Sequence, residues 1–154
     1  IAADKPCLQQ MVEAYEQTGG NMVAAMEVSP ERTQSYGVLD VAEDMGSVVL
    51  VKGMVEKPAP EVAPSRLGVI GRYILQPEVM DLLGEQEPGA GGEIQLTDAM
   101  ARLIGRQPFH AVEVDAVRHD CGDKAGYVLA TLALALERED LAPLVRAAMA
   151  KASA

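Results

Sequence analysis

Two side chains of opposite charge stand together at the end of an apolar segment, in the sequence Val55-Glu56-Lys57-Pro58. A carboxylate accepts hydrogen bonds from sugar hydroxyls, and an ammonium group pairs with phosphate. Successive side chains of a strand point to opposite faces, but Pro58 ends the strand and lets both charged groups turn toward one ligand. The pair therefore predicts either a contact to a sugar phosphate or a solvated ion pair, which is a common surface feature.

The elements that must position this pair alternate between helix and strand. Apolar runs predict strands at 21–28, 37–41, 47–55, 67–75 and 109–117, with the second and third forming a hairpin. Helical periodicity and start signals predict helices at 6–18, 77–83, 98–104, 124–136 and 141–149. This alternation predicts an α/β fold with a mixed, mostly parallel sheet flanked by helices.

Three details of the helices follow from residue types. The first helix is predicted to present one apolar face, formed by Leu8, Met11, Val12 and Tyr15. Thr97 or Asp98 is the predicted N-cap of the helix at 98–104, and Asp123 is the predicted N-cap of the helix at 124–136. Residues 86–92 are predicted to form a glycine-rich loop.

Composition limits the class of protein. The 154 residues suffice for one sizeable core, with 49% apolar and 23% charged residues, and predict a single domain over 1–154. The formal net charge of −10 argues against nucleic acid or an anionic membrane as a partner. Two cysteines and no basic, apolar leader predict a reducing, cytoplasmic location. The richest apolar run, 127–136, is too short to span a membrane.

Five segments together resemble one enzyme family. They are SYGV at 35–38, VEKP at 55–58, SRLGVIGRY at 65–73, GAGGEIQLTD at 89–98 and HDCG at 119–122. In this order and spacing they resemble the C-terminal half of the bacterial UTP–glucose-1-phosphate uridylyltransferases, or UDP-glucose pyrophosphorylases, over about residues 6–148. The resemblance implies a Rossmann-like nucleotide-diphospho-sugar transferase fold. It also implies that this chain is the C-terminal, sugar-phosphate-binding part of a single nucleotidyltransferase domain, without the N-terminal units that carry the glycine-rich nucleotide loop.

The resemblance assigns roles to residues around the charged pair. It implies that Glu56 accepts hydroxyls of glucose, that Lys57 holds the sugar phosphate during catalysis, and that the backbone of Gly37 approaches the sugar. Gly71 and Tyr73 are implied supports of the same pocket. A glycine also permits close approach for purely structural reasons or marks a turn with positive φ, and a lone tyrosine on a strand is commonly a core residue. These alternatives stay open for Gly37 and Tyr73.

Asp120 is the remaining candidate, in the sequence His119-Asp120-Cys121-Gly122 between a strand and a helix. The resemblance implies a catalytic position near the sugar phosphate and a role as a ligand of Mg²⁺, the expected cofactor. The alternative is a helix cap, which Asp123 provides more directly. His119 is expected to be a packing or hydrogen-bonding neighbour, because attack by a phosphate oxygen needs no general base.

Two residues depart from the family pattern. Arg66 stands where the family usually has asparagine, and Gly68 stands where it has alanine. A larger cation is therefore expected beside the pocket. Glu93 and Asp98 lie in the diagnostic segment at 89–98 but have no evident chemical role.

The implied reaction is attack of glucose 1-phosphate on UTP, giving UDP-glucose and pyrophosphate, with alignment and charge neutralisation as the means. Alternatives are a non-catalytic sugar-phosphate-binding module and an interaction protein that keeps the fold. The resemblance also implies a homodimer or homotetramer. A sheet without its N-terminal units is expected to expose an unpaired edge, and the 154-residue chain alone is expected to be inactive.

Overall fold

The computed structural model describes residues 1–88 and 92–152, and these residues form two compact units. The barrel unit comprises Lys5–Asp115, and the helical unit comprises Ile1–Asp4 together with the residues from Ala116 onward. Compactness alone does not set a domain boundary. The single domain over residues 1–154 therefore stays a prediction.

The barrel unit follows the predicted alternation of helix and strand. In chain order its elements are α1 (Cys7–Thr18), β1 (Asn21–Glu27), β2 (Gly37–Asp44), β3 (Val48–Glu56), β4 (Leu67–Ile74), α2 (Glu78–Gly84), α3 (Leu96–Leu103) and β5 (Phe109–Glu113). Short 3₁₀ helices at Pro30–Ser35 and Pro60–Val62 precede β2 and β4. All five predicted strands are present, and β2 and β3 pair as the predicted hairpin.

The five strands close into a barrel in the order β1-β4-β2-β3-β5. Only β1 and β5 pair in parallel, whereas the other four neighbouring pairs are antiparallel. The sheet is therefore mixed, as predicted, but the prediction that it is mostly parallel is wrong. The connection from β2 to β3 is too short for the crossover that parallel neighbours need.

The expected open sheet edge is also absent from the described residues. β5 pairs with β1 on one side and with β3 on the other, which joins the two ends of the strand order. The shortest strand pairing is that of β2 with β4, where Val38 and Gly68 form a single residue pair. Closure removes the exposed ladder that was expected to drive association.

One apolar core serves the barrel unit. Buried side chains of four strands and of the helices α2 and α3 pack into a single cluster. Its strand members include Val23, Leu39, Val51 and Phe109, and α3 contributes Met100 among others. Because these residues are close-packed, the ends of β2, β3 and α3 hold fixed positions relative to one another.

Two predictions about helices in this unit are wrong. On α1 the buried residues are Cys7, Met11 and Ala14, while Leu8 and Val12 are exposed, so the buried face is rotated from the predicted one. The N-cap of α3 is Gln95, not Thr97 or Asp98. Three residues of the predicted glycine loop, 89–91, lie outside the described residues.

The helical unit contains an antiparallel bridge between Ala2 and Val117 and the helices α4 (Lys124–Glu137) and α5 (Ala142–Ala152). The Asp123 side chain caps α4 by accepting a hydrogen bond from the Gly126 N–H, as predicted. Throughout residues 1–88 and 92–152, every helix is too short or too polar to cross a bilayer.

Candidate functional site

The predicted charged pair converges at the end of β3. Glu56 is the last residue of the strand, and its Oε1 lies 3.4 Å from Lys57 Nζ. Lys57 has a φ of 47°, which is unique among the described non-glycine residues. This left-handed backbone swings the lysine away from the opposite face of the sheet and costs about 1–2 kcal/mol. The sequence predicts this convergence but not the left-handed backbone of Lys57.

One backbone hydrogen bond and one side-chain hydrogen bond hold the backbone of Lys57 and Pro58 in this conformation. The Lys57 N–H donates to the Tyr36 carbonyl at 2.9 Å. The hydroxyl of Thr33, which is almost completely buried, lies 3.1 Å from the Pro58 carbonyl and 2.9 Å from the Pro30 carbonyl. The 3₁₀ helix before β2 therefore fixes the residue that follows β3.

Gly37 lies directly opposite Glu56 in the β2–β3 ladder. Its φ is not positive, so the turn interpretation is wrong. A Cβ built on Gly37 would lie 3.3 Å from Glu56 Oε2 and 3.4 Å from the methyl carbon of Thr97. Gly37 thus lets Glu56 and Thr97 lie close to the β2 backbone, where a side chain would press on both of them.

Tyr73 and Gly71 lie on β4, where the pairing with β1 shifts register. Gly71 has a φ of 75°, and a Cβ there would meet no atom within 4 Å, so Gly71 is needed for its backbone conformation. The side chain of Tyr73 is 37% exposed and does not belong to the core. Partial burial and then the nearby charge of Glu56 raise the pKa of Tyr73, while Arg72 acts in the opposite direction. Tyr73 therefore interacts electrostatically with Glu56, the carboxylate that also pairs with Lys57.

The structure shows what Arg66 and Gly68, the two departures from the family pattern, contact. Arg66 forms an ion pair with Glu27, and more than half of each side chain is exposed. A Cβ on Gly68 would lie 3.1 Å from the Val28 side chain and 3.2 Å from the Tyr36 ring. Gly68 thus lets Tyr36 pack closely on β4, and Arg66 engages a carboxylate of its own.

Asp120 lies in the helical unit, between the bridge at Val117 and α4. Its Oδ1 accepts a hydrogen bond from the Gly122 N–H at 3.1 Å, and its Oδ2 lies 3.2 Å from Arg118 Nη1. The cap of α4 is Asp123, so the alternative role of Asp120 as a helix cap is wrong. A Cβ on Gly126 would collide with the Asp120 carbonyl oxygen, so this glycine allows the loop to pack on the first turn of α4.

The fit of Mg²⁺ can be judged from the carboxylates present. No three histidine, cysteine, aspartate or glutamate side chains of the described residues come together as a metal site. Asp120 supplies one carboxylate, already paired with Arg118. Mg²⁺ is often held by one or two carboxylates together with substrate phosphates. The described residues alone do not form a complete site, and Mg²⁺ stays a prediction.

The chain matches one protein family over most of its length. Residues 2–136 match the family described as nucleotidyl transferase. The chain belongs to this family. Two curated relatives of this nucleotidyl transferase are a UTP–glucose-1-phosphate uridylyltransferase of Komagataeibacter xylinus and UTP–glucose-1-phosphate uridylyltransferase 2 of Staphylococcus saprophyticus. The first is 54% identical over 80% of this chain and 44% of the relative, and the second is 40% identical over 92% and 49%.

A solved structure gives the same family assignment. The structure described as UDP-glucose pyrophosphorylase complexed with UDP-glucose superposes with a TM-score of 0.83 at 40% identity, over 90% of this chain and 53% of the other. The chain spans about half the length of the curated relatives it matches. The fold is thus that of an α/β nucleotide-sugar transferase, with a closed mixed sheet.

The structure brings together some predicted residues and adds others. Gly37, Glu56 and Lys57 adjoin at one end of the β2–β3 hairpin, and Tyr73 is close enough to feel the charge of Glu56. Asp120 belongs to the other unit. Thr33 and Thr97 were missed, because a threonine in a 3₁₀ turn or at a helix start has an ordinary local explanation. The sequence signal for Thr97 was its place in the GAGGEIQLTD segment.

Proposed function

We propose that this chain binds glucose 1-phosphate and supplies the sugar half of a nucleotidyltransferase that forms UDP-glucose and pyrophosphate from UTP. The observation that carries the proposal is the arrangement around Glu56. One carboxylate oxygen lies 3.4 Å from the Lys57 ammonium, and the other lies 3.3 Å from the position that a Cβ on Gly37 would take. The lysine pairs with the phosphate and the free carboxylate oxygen accepts a sugar hydroxyl.

In the proposed reaction, a phosphate oxygen of glucose 1-phosphate attacks the α-phosphorus of UTP, and pyrophosphate leaves with the bond to the β-phosphate. Such transfer depends on alignment and charge neutralisation more than on a protein nucleophile. Lys57 neutralises charge on the attacking phosphate, and its left-handed backbone directs the side chain toward Glu56. Glu56 fixes the rotation of the sugar, which sets the direction of attack.

The test is calorimetric titration of glucose 1-phosphate into the 154-residue chain, followed by a pyrophosphate-release assay with UTP and Mg²⁺. We expect binding without turnover, because the described site addresses only the sugar phosphate. Absence of binding at millimolar glucose 1-phosphate would overturn the proposal. UTP-dependent release of pyrophosphate would show that the chain also carries out the nucleotide part of the reaction. If a full-length relative also bound glucose 1-phosphate without turnover in the same assay, the result would favour a non-catalytic module.

The metal, assembly and location belong to the same proposal. Mg²⁺ would be held by Asp120 and supply charge neutralisation at the phosphates. Titration of Mg²⁺ in the presence of glucose 1-phosphate should be weakened by Asp120→Asn and unchanged by Glu56→Gln. Identical curves for both variants and the unmodified chain would remove Asp120 from the metal site. We also propose that the protein is located in the cytoplasm and forms a homodimer or homotetramer.

A further inference from the structure

A groove opens in the wall of the barrel where β3 and β5 separate. The two strands pair only over Val48, Val49 and Leu50 of β3, although β3 continues to Glu56. Pro108 directly precedes β5 and has no N–H, so it cannot extend the ladder of hydrogen bonds. The groove beside the unpaired part of β3 has a volume of about 440 Å³. This volume is in the range of sites that hold small molecules.

The groove has an apolar lining. Val51 and Phe109 line it, and both belong to the barrel core. Leu50 and Pro108 line it as well, together with Ile104 at the end of α3. A lining of this kind favours the apolar body of a ligand, because each contact removes apolar surface from water.

Two cations line the same groove. Lys52 lies on β3, and Arg106 lies in the turn between α3 and β5. Lys52 Nζ is 3.4 Å from Asp40 Oδ1, in a largely exposed ion pair of the kind that contributes little energy. Within residues 1–88 and 92–152, the Arg106 guanidinium has no hydrogen-bond or ion-pair partner, and none of the residues that line the groove is acidic. In a chain of net charge −10, the groove is therefore a local positive site.

The groove is separate from the charged pair at the end of β3. Lys52 precedes Glu56 by four residues of the strand, which is roughly 13 Å at about 3.3 Å per residue. Neither Glu56 nor Lys57 lines the groove, and neither do Gly37 and Tyr73. A ligand in the groove would therefore bind at a second site of the barrel unit.

We propose that this groove binds a small phosphate monoester with an apolar body. A phosphate monoester carries a charge of about −1.5 to −2 at pH 7, which suits two cations better than the single charge of a carboxylate. The Arg106 guanidinium donates two parallel hydrogen bonds to phosphate oxygens, and Lys52 supplies the second positive charge. The apolar body covers Val51 and Phe109, where the sheet is open.

The test is calorimetric titration of phenyl phosphate into the 154-residue chain, with inorganic phosphate and benzoate as comparison ligands. Phenyl phosphate should bind about 10-fold more tightly than inorganic phosphate, which has no apolar body, and than benzoate, which has a single charge. Arg106→Gln should weaken phenyl phosphate about 10-fold, and Lys52→Gln about 3-fold, since Asp40 already shares the charge of Lys52. Asp40→Asn should strengthen binding about 3-fold, because it removes a negative charge beside the phosphate. General damage to the fold would not produce such a gain.

Two controls separate the groove from the rest of the barrel unit. Arg102→Gln changes an arginine one turn earlier on α3, which pairs with Glu85 and does not line the groove, and should leave phenyl phosphate binding unchanged. Lys57→Ala should retain the binding of phenyl phosphate and lose that of glucose 1-phosphate, whereas Arg106→Gln should do the reverse. Loss of phenyl phosphate binding in Lys57→Ala but not in Arg106→Gln would assign the phosphate to the charged pair and overturn the groove site. Absence of binding at millimolar phenyl phosphate, or equal affinity for phenyl phosphate and inorganic phosphate, would also overturn it, and neither result bears on the binding of glucose 1-phosphate.

Discussion

The barrel unit buries its apolar side chains, whereas the helices of the helical unit expose theirs. Phe109, Leu39 and Met100 of the barrel are almost inaccessible. On α4, the most apolar helix of the chain by sequence, only Ala130 is buried, and Leu129 is 66% exposed. The contrast shows that an apolar sequence predicts a helix but does not predict which residues, if any, pack against that helix. The charged pair lies on the barrel unit, which contains the cluster of buried apolar side chains.

The largest expected difference between the units concerns stability. Phe109→Ala should lower the free energy of unfolding by about 3–5 kcal/mol, because it leaves a cavity in the barrel core. Leu129→Ala should change it by at most about 0.5 kcal/mol, because the side chain is mostly solvated. Urea unfolding followed by circular dichroism measures both. Equal losses for the two variants would show that α4 is as well packed as the barrel.

The second prediction places the binding energy in the barrel unit. Lys57→Ala should weaken binding of glucose 1-phosphate by about 2–4 kcal/mol, because the phosphate loses a charge-assisted contact. Lys52→Ala is the matched control, since Lys52 is an exposed lysine of β3 paired with Asp40. Calorimetric titration distinguishes them. A Lys57→Ala variant that binds like the unmodified chain would remove Lys57 from the site.

A smaller effect is expected from the buried hydroxyl behind Lys57. Thr33→Val should weaken glucose 1-phosphate binding by about 1–2 kcal/mol, because the buried Pro58 carbonyl loses its donor and the left-handed backbone of Lys57 is less firmly held. Thr33→Ser retains the hydroxyl and should restore most of the affinity. If both variants lose stability equally but neither loses affinity, Thr33 supports the fold and not the lysine.

Self-association should come from the exposed side chains of the helical unit, since the barrel has no open edge in the described residues. Leu129→Glu should weaken association roughly tenfold, or about 1.4 kcal/mol. Met80→Glu changes an equally exposed apolar residue on α2 and serves as the control. Light scattering over a concentration series measures the effect. A monomer at all concentrations, or equal effects of both variants, contradicts the prediction.

The smallest effect is a shift in the titration of one tyrosine. Burial and Glu56 raise the pKa of Tyr73, so Tyr73 should stay protonated to higher pH than an ordinary tyrosine. Glu56→Gln removes a negative charge that disfavours the phenolate and should lower the pKa of Tyr73. Absorbance near 295 nm, with Tyr73→Phe to identify the signal, follows the titration. An unchanged Tyr73 curve in Glu56→Gln would mean that the carboxylate is too well screened to matter.

The sequence predicts local features better than pairing. Strand positions and the hairpin follow from apolar runs and turn residues, which act over a few positions. The closed barrel does not, because the pairing of β1 with β5 joins residues far apart in the chain. Tertiary packing also explains why the buried face of α1 differs from the predicted one. The packing of α1 on β1 and β5 decides which apolar residues of α1 face inward.

The candidate site shows the same division. Glu56 and Lys57 are visible as neighbours of unlike charge before a proline, and their convergence follows from the end of the strand. The left-handed φ of Lys57 depends on a hydrogen bond to the Tyr36 carbonyl and on one from the Thr33 hydroxyl to the Pro58 carbonyl, and both partners come from another part of the unit. Thr97 reaches Gly37 only because α3 docks on the barrel core. Residue types reveal charged groups, but tertiary packing decides which neutral groups join them.

The parallel pairing of Asn21 with Phe109 has a consequence for the order of folding. The β2–β3 hairpin is local and forms without long loop closure, so Gly37 and Glu56 meet early. The barrel cannot close until β5 has left the ribosome, since β1 and β3 both pair with β5. Until then one edge of β1 and one edge of β3 stay unpaired, and an unpaired strand edge can pair with another chain.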